Sequence, residues 1–235
     1  MFKLALGAGH SFNTAGKRCL KSLDPNETRE WWLNDRIADQ VEDILHDYDG
    51  VQILRLDDSD DGQDDIALAA RVSAANQWGA DFYLSIHHNA GANGTTAGGI
   101  VAYMHPAADK VTKEWRDELY AALIRHTGLK GNRANPMATA DHYVTRETKM
   151  SAVLLELGFM DRRLDVPVIL TDDYARKCAQ AITEVIIKRG GLTKKVTEPE
   201  VIYRVQVGAF SKKANAEKLA ADLKAKGYQV YITRT

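Results

Sequence analysis

Two periodicities alternate along the chain. Short, nearly continuous apolar runs read as strands: KLALGA (3–8), VQILRL (51–56), DFYLSI (81–86), GGIVAYM (98–104) and SAVLLELGF (151–159). Several of them are too uniformly apolar to have a wet face. Between these runs, apolar residues recur every three or four positions. From Glu30 onward, Leu33, Ile37, Val41, Ile44, Leu45 and Tyr48 form one stripe, leaving Asp35, Asp39, Glu42 and Asp43 outward. Residues 66–78 are Ala-rich; Val111, Trp115, Leu119 and Leu123 repeat every four, and Tyr174, Cys178, Ile182 and Val185 follow the same rule. Strand and helix in alternation predict an α/β domain with a mainly parallel twisted sheet and helices on both faces.

The pattern stops near residue 188. KRGGLTKKVTEPE has paired glycines, clustered charge and a proline, so 189–200 reads as a linker between a first domain, 1–188, and a small unit, 201–235. In that unit Tyr203, Val205, Val207 and Ala209 alternate with polar or small residues, Ala216, Leu219, Ala220 and Leu223 have helical spacing, and Tyr228, Val230 and Ile232 alternate again. This predicts one β-α-β unit, too small to bury a stable core alone.

Composition changes little in this picture. With 45% hydrophobic and 27% charged residues and a net charge of -1, the 235-residue chain is ordinary globular material without a global field to recruit nucleic acid or an anionic membrane. No stretch approaches the roughly 18 apolar residues of a membrane span, and MFKLALGAGH is too short an apolar run for a secretory signal. The expectation is synthesis in the cytoplasm without a signal peptide. Cys19 and Cys178 lack metal-type spacing; Cys178 lies on the apolar stripe of its helix and reads as a packed thiol, with a disulfide between the two as the open alternative.

In an open parallel sheet, ligands gather beyond the carboxyl ends of the strands. His10 and His87 sit at such ends, and Glu156 lies within an apolar strand, where a carboxylate costs several kcal/mol unless a charge compensates it. A divalent cation would do so. Glu30, at the start of the first long helix, is a further donor. Taken singly, each has a plainer explanation: a loop histidine, a hydrogen-bonded strand terminus, a carboxylate at the positive end of a helix dipole. DDSDDGQDDIAL has EF-hand-like acidic spacing, but Leu68 stands where a bidentate glutamate belongs, and it reads as a solvated acidic loop.

GAGH, EWWLN, RVSAANQWGADFYLSIHHNAG, GGIVAYM and AVLLELGFM, in that order, resemble the zinc-dependent N-acetylmuramoyl-L-alanine amidases of phage endolysins and bacterial autolysins. The resemblance implies one Zn2+ held by His10, Glu30 and His87, with Glu156 as the catalytic carboxylate and His88 a neighbour rather than a ligand. It implies hydrolysis of the amide joining N-acetylmuramic acid to L-alanine in peptidoglycan, after release of the enzyme by a holin or by lysis. The chain departs from the family pattern at HSFNTAGKR and at Ser151, positions that bear on the substrate groove. Asn89 and Arg146 are candidates for holding the peptide or its carboxylates. A zinc peptidase or deacetylase acting on the same polymer is the alternative enzyme.

YRVQVGAFSKKANAEKLAADLKAKGYQVYI resembles half of a SPOR-type peptidoglycan-binding domain. One visible copy implies a homodimer joined through residues 201–235. A non-enzymatic glycan- or RNA-binding module is the remaining reading, and an RNA-binding sheet would display more paired aromatics than Tyr203 and Phe210.

Overall fold

The computed structural model describes residues 1–57, 60–92, 98–196 and 205–233. They fall into two compact units, Met1–Lys195 and Val196–Thr235.

The first unit is built on a six-stranded sheet of order β3-β1-β4-β7-β5-β6. Its strands are β1 (Phe2–Ala8), β3 (Val51–Arg55), β4 (Phe82–Asn89), β5 (Ile100–Met104), β6 (Met137–Thr139) and β7 (Ser151–Phe159). β3, β1, β4 and β7 are mutually parallel, whereas β5 runs antiparallel to β7 and carries the short β6 parallel to itself. The sheet is thus mainly parallel, with its last two strands reversed.

The helices are α1 (Glu30–His46), α2 (Leu68–Trp78), α3 (Lys110–Thr127), α4 (Tyr143–Arg146), α5 (Val166–Ile169) and α6 (Asp172–Gly190). The main core lies between one sheet face and α1, α3 and α6, where Leu4, Leu6, Phe82, Leu84, Ile86, Val153 and Leu155 meet Leu33, Ile37, Leu119, Leu123 and Ile182. Alternate strand residues point the other way. Ala5, Tyr83, Ala152 and Leu154 pack against Val72 and Ala75 of α2 and Val144 of α4. Both faces are therefore covered, which is why the strands read as continuous apolar runs.

Helix ends follow local chemistry. Thr171 caps α6 by accepting from the Tyr174 N–H at 3.2 Å, Asp172 and Asp173 lie at its positive end and Lys188 and Arg189 at its negative end, and Gly191 closes it at φ +61°. A two-stranded sheet, β2 (Tyr48–Asp49) with β8 (Thr193–Lys194), ties the chain after α6 back to the end of α1, so the first unit closes inside the span read as linker.

The second unit contains α7 (Lys213–Ala225), at the helical period of the sequence. The two strands expected around it are not formed among the described residues, and Tyr203 lies outside them. Extended segments become strands only through a ladder partner, and a single small unit supplies none. Val205, Val207, Phe210, Tyr228, Tyr231 and Ile232 are exposed, and Ala220 is the buried residue of α7.

Candidate metal centre

Three of the four predicted chemistry-bearing side chains converge at the carboxyl end of the sheet. β1 stops at Ala8, and two residues on, His10 sits in the left-handed region at φ +67°. A side chain other than glycine pays roughly 1–3 kcal/mol to stay there. Gly9 allows the approach: a Cβ at that position would fall 2.0 Å from Cε1 of His87. The two imidazoles meet edge to face with centroids 5.0 Å apart.

Glu30, the first residue of α1, reaches up between them. Its Oε1 lies 3.1 Å from Nδ1 of His87 and 3.4 Å from Nε2 of His10, and the donor atoms of the three residues all lie within 4.8 Å of one another. Its carboxylate is buried, with Lys17 Nζ 3.9 Å from Oε2. Burial alone would raise the Glu30 carboxyl, but the imidazoles of His10 and His87 hold it well below the usual carboxylate range. Burial pushes the His87 imidazole down, against the pull of Glu30. That favours the neutral imidazole, the form that binds metal.

Glu156 stands beside His87 in the β4–β7 register and on the same sheet face. Burial, joined by the nearby charge of Glu30, pushes its carboxyl well up, and Lys17 only partly offsets this. Oε2 of Glu30 and Oε2 of Glu156 are both buried without a hydrogen-bond partner. Orphaned buried carboxylate oxygens are uncommon and call for a cation or a proton. Two imidazoles and a carboxylate within reach of one ion fit a divalent metal such as zinc, with room for a solvent ligand.

His88 is not part of the cluster. It points to the opposite face, is buried, and its Nδ1 lies 2.7 Å from Oδ1 of Asn34; burial lowers its imidazole to about 3. Glu27, three residues before Glu30, is turned away and pairs with Arg18 at 3.0 Å. Asn89 ends β4 past a register shift, its Oδ1 accepting from the Ala90 N–H at 2.8 Å. Arg146 ends α4 and pairs with Asp141 at 2.7 Å and Glu147 at 2.8 Å. Neither touches the three donors. Val144, two residues before Arg146, does line a cleft of about 370 Å³ with His10, His87, Ser85, Arg71 and residues 65–68. A larger cavity of about 470 Å³, lined by Phe12, Arg29 and Trp32 among others, contains none of the donor residues.

Two polar residues near the centre, buried Asn34 and Arg71, carry a readable signal in the sequence. Asn34 is a polar residue on the apolar stripe of α1, four positions after Glu30, and Arg71 is a charge on the buried side of an Ala-rich helix. Cys19 and Cys178 are free, buried thiols, each pushed up to about 12 chiefly by burial, as expected for packed residues. The described residues of the acidic loop form no cluster of metal-type donors; Asp58 and Ser59 lie outside the described residues. No helix among the described residues is long and apolar enough to cross a membrane.

Fold and donor set define the class: an α/β domain with a metal-type cluster at the carboxyl end of its sheet. Residues 4–188 match the family described as N-acetylmuramoyl-L-alanine amidase, and residues 199–235 match the SPOR domain. The sporulation-specific N-acetylmuramoyl-L-alanine amidase of Bacillus subtilis is 32% identical over 233 residues, covering 99% of this chain and 84% of its own. The amidase CwlM of Bacillus licheniformis is 33% identical over 189 residues, 80% of this chain and 70% of its own. Among solved structures, the catalytic domain of the amidase CwlV from Paenibacillus polymyxa superposes with a TM-score of 0.70 at 24% identity, over 80% of this chain and 98% of that one, a likeness of fold. The chain belongs to the N-acetylmuramoyl-L-alanine amidase family, carries a C-terminal SPOR domain, and acts on the amide bonds of peptidoglycan.

Proposed function

We propose that this chain cuts the amide between the lactyl group of N-acetylmuramic acid and L-alanine as a zinc enzyme, with His10, Glu30 and His87 as ligands and Glu156 as the proton carrier. The observation that carries this reading is the convergence of Nε2 of His10, Nδ1 of His87 and Oε1 of Glu30 beside the unpartnered Oε2 of Glu156. When bound, zinc supplies a Lewis acid that polarises the scissile carbonyl and makes water acidic enough to lose a proton near neutral pH. Glu156 takes that proton on its carboxylate and returns it to the alanine nitrogen as the C–N bond breaks, leaving a lactyl carboxylate and a free L-alanine amine. The apolar wall of Ile66, Leu68 and Val144 fits the alanine methyl, and Asn89 and Arg146, which do not line this cleft, hold the more distant peptide or its carboxylates.

The test is mass spectrometry of purified wall fragments after digestion by metal-stripped and zinc-restored protein. Free L-alanine amino termini and intact disaccharides, only with zinc restored, are the expected result. Cleavage between amino acids, or loss of acetyl groups, would instead select a zinc peptidase or deacetylase.

The SPOR unit binds the wall and, in this proposal, also joins two copies of the chain. Support comes from the exposed Val205, Val207, Phe210, Tyr228 and Ile232, apolar residues flanking a single helix, which a second unit of the same kind would cover. Sedimentation of the full chain against one ended at Lys195 checks this: a dimer and a monomer are expected, and equal oligomeric states would remove the idea.

A further inference from the structure

We infer that Arg71 and Asn34 are positioning residues that clamp the Ala8–His10 backbone from opposite sheet faces and so hold His10 in the shape the metal centre needs. The inference rests on the reading of His10 as a zinc ligand.

Past the end of β1 the ladder thins, and only the Gly9 N–H continues it, donating to the Ile86 carbonyl at 2.8 Å. The three carbonyls of Ala8, Gly9 and His10 would be left to chance. Each is instead taken by a side chain. Arg71, from α2, donates Nη1 to the Ala8 carbonyl at 2.6 Å and Nη2 to the His10 carbonyl at 3.0 Å. Asn34, from α1 on the other face, donates Nδ2 to the Gly9 carbonyl between them at 3.1 Å. The flat fork of a guanidinium can span two carbonyls two residues apart, whereas an ammonium is a point donor.

The clamp is itself fixed. Nε of Arg71 donates to the Ile66 carbonyl at 2.9 Å, which orients the guanidinium plane. Arg71 is 4% exposed, and its three hydrogen bonds all go to backbone carbonyls. A buried cation held by backbone carbonyls is costly for packing alone, and two of its three acceptors, Ile66 and His10, belong to residues lining the metal cleft.

Asn34 also links the histidine segments. Because Nδ2 donates to Gly9, its Oδ1 is the acceptor, so Nδ1 of His88 carries the proton between them. The His88 N–H in turn donates to Oε1 of Glu30 at 3.2 Å. One carboxamide thus couples the Gly9–His10 segment after β1 to the His87–His88 segment of β4, from the helix whose first residue is the third ligand.

The test uses zinc alone as the probe, its affinity measured by chelator competition on metal-stripped full-length protein well below the melting temperature. Arg71→Lys and Asn34→Ala are each expected to weaken zinc about 10–100-fold, the range for residues that orient ligands without touching metal. Arg71→Ala is expected to lose more and to regain affinity in millimolar guanidinium, which enters from the cleft; Asn34→Ala should not respond. If Arg71→Ala does not fold, the two milder variants carry the test. Folded variants with wild-type zinc affinity overturn the inference while leaving the ligands in place. Wild-type protein that takes up no zinc overturns the ligand reading, and this inference with it.

Discussion

Glu156 in strand β7, half-buried with its Oε2 fully covered, and Asp165 in the turn that follows, fully buried, are two carboxylates whose surroundings differ. Asp165 is fully buried and fully used: Oδ2 accepts the N–H groups of Gly99 at 2.8 Å and Phe159 at 3.0 Å, while Oδ1 receives Nη1 of Arg162. It ties the start of β5 to the end of β7. Glu156 lies within the same strand, yet its Oε2 has no partner, and burial with the charge of Glu30 pushes its carboxyl upward. A carboxylate with filled lone pairs belongs to the frame. One left open is available to a proton or a cation, and a protein keeps it at a cost to stability only where chemistry needs it.

The sharpest way to break this comparison is to change both residues and exchange the readouts. Glu156→Gln removes the proposed proton carrier and keeps the shape, so amide hydrolysis is expected to fall by about 10²–10⁴-fold or more. Zinc content by elemental analysis should stay the same, and thermal stability should hold or rise, because an uncompensated buried acid has gone. Asp165→Ala should do the reverse. It strands Arg162 and two backbone N–H groups, and denaturant titration should record a loss of about 3–5 kcal/mol, while the fraction that remains folded turns over normally. A large stability loss in the first variant, or a folded but inactive second one, would mean that hydrogen-bond satisfaction does not separate frame from chemistry here.

The same contrast explains what could be read in the sequence. Glu156 was legible because a lone carboxylate interrupts an apolar strand, and β7 occupies the expected residues 151–159. Asp165 was not, since it sits in a charged turn that looks solvated, and its partners include Gly99 from across the sheet. The strands of β1, β3, β4 and β5 followed from apolar runs, and α1, α2, α3 and α6 from helical spacing. The reversal of β5 did not, because an apolar run reads alike in both directions and the connections decide. β6, α4 and α5, at three or four residues, are shorter than the period that would announce them. Convergence of His10, Glu30 and His87 was read from family likeness rather than from spacing. The clamp by Asn34 and Arg71 depends on which carbonyls lie near which helix, which no local pattern encodes.

Asp24 extends the comparison to a smaller effect. It sits in the loop between His10 and Glu30, buried, with Oδ1 accepting the Asn26 N–H at 3.1 Å and Oδ2 the Thr28 N–H at 2.7 Å. Burial alone would raise its carboxyl, but the hydrogen bonds from Thr28 and Asn26 outweigh it and bring the carboxyl below the ordinary 3.8. By satisfaction it belongs with Asp165. The folded state therefore binds the proton more weakly than the unfolded chain does, and its contribution is present above the unfolded value and lost as pH falls through the folded one. Urea unfolding at a series of pH values, wild type against Asp24→Asn, checks the sign: the wild-type advantage should be steady above about pH 5 and shrink steadily toward pH 2. An advantage that grows on acidification would mean that burial, rather than the hydrogen bonds from Thr28 and Asn26, sets the Asp24 carboxyl.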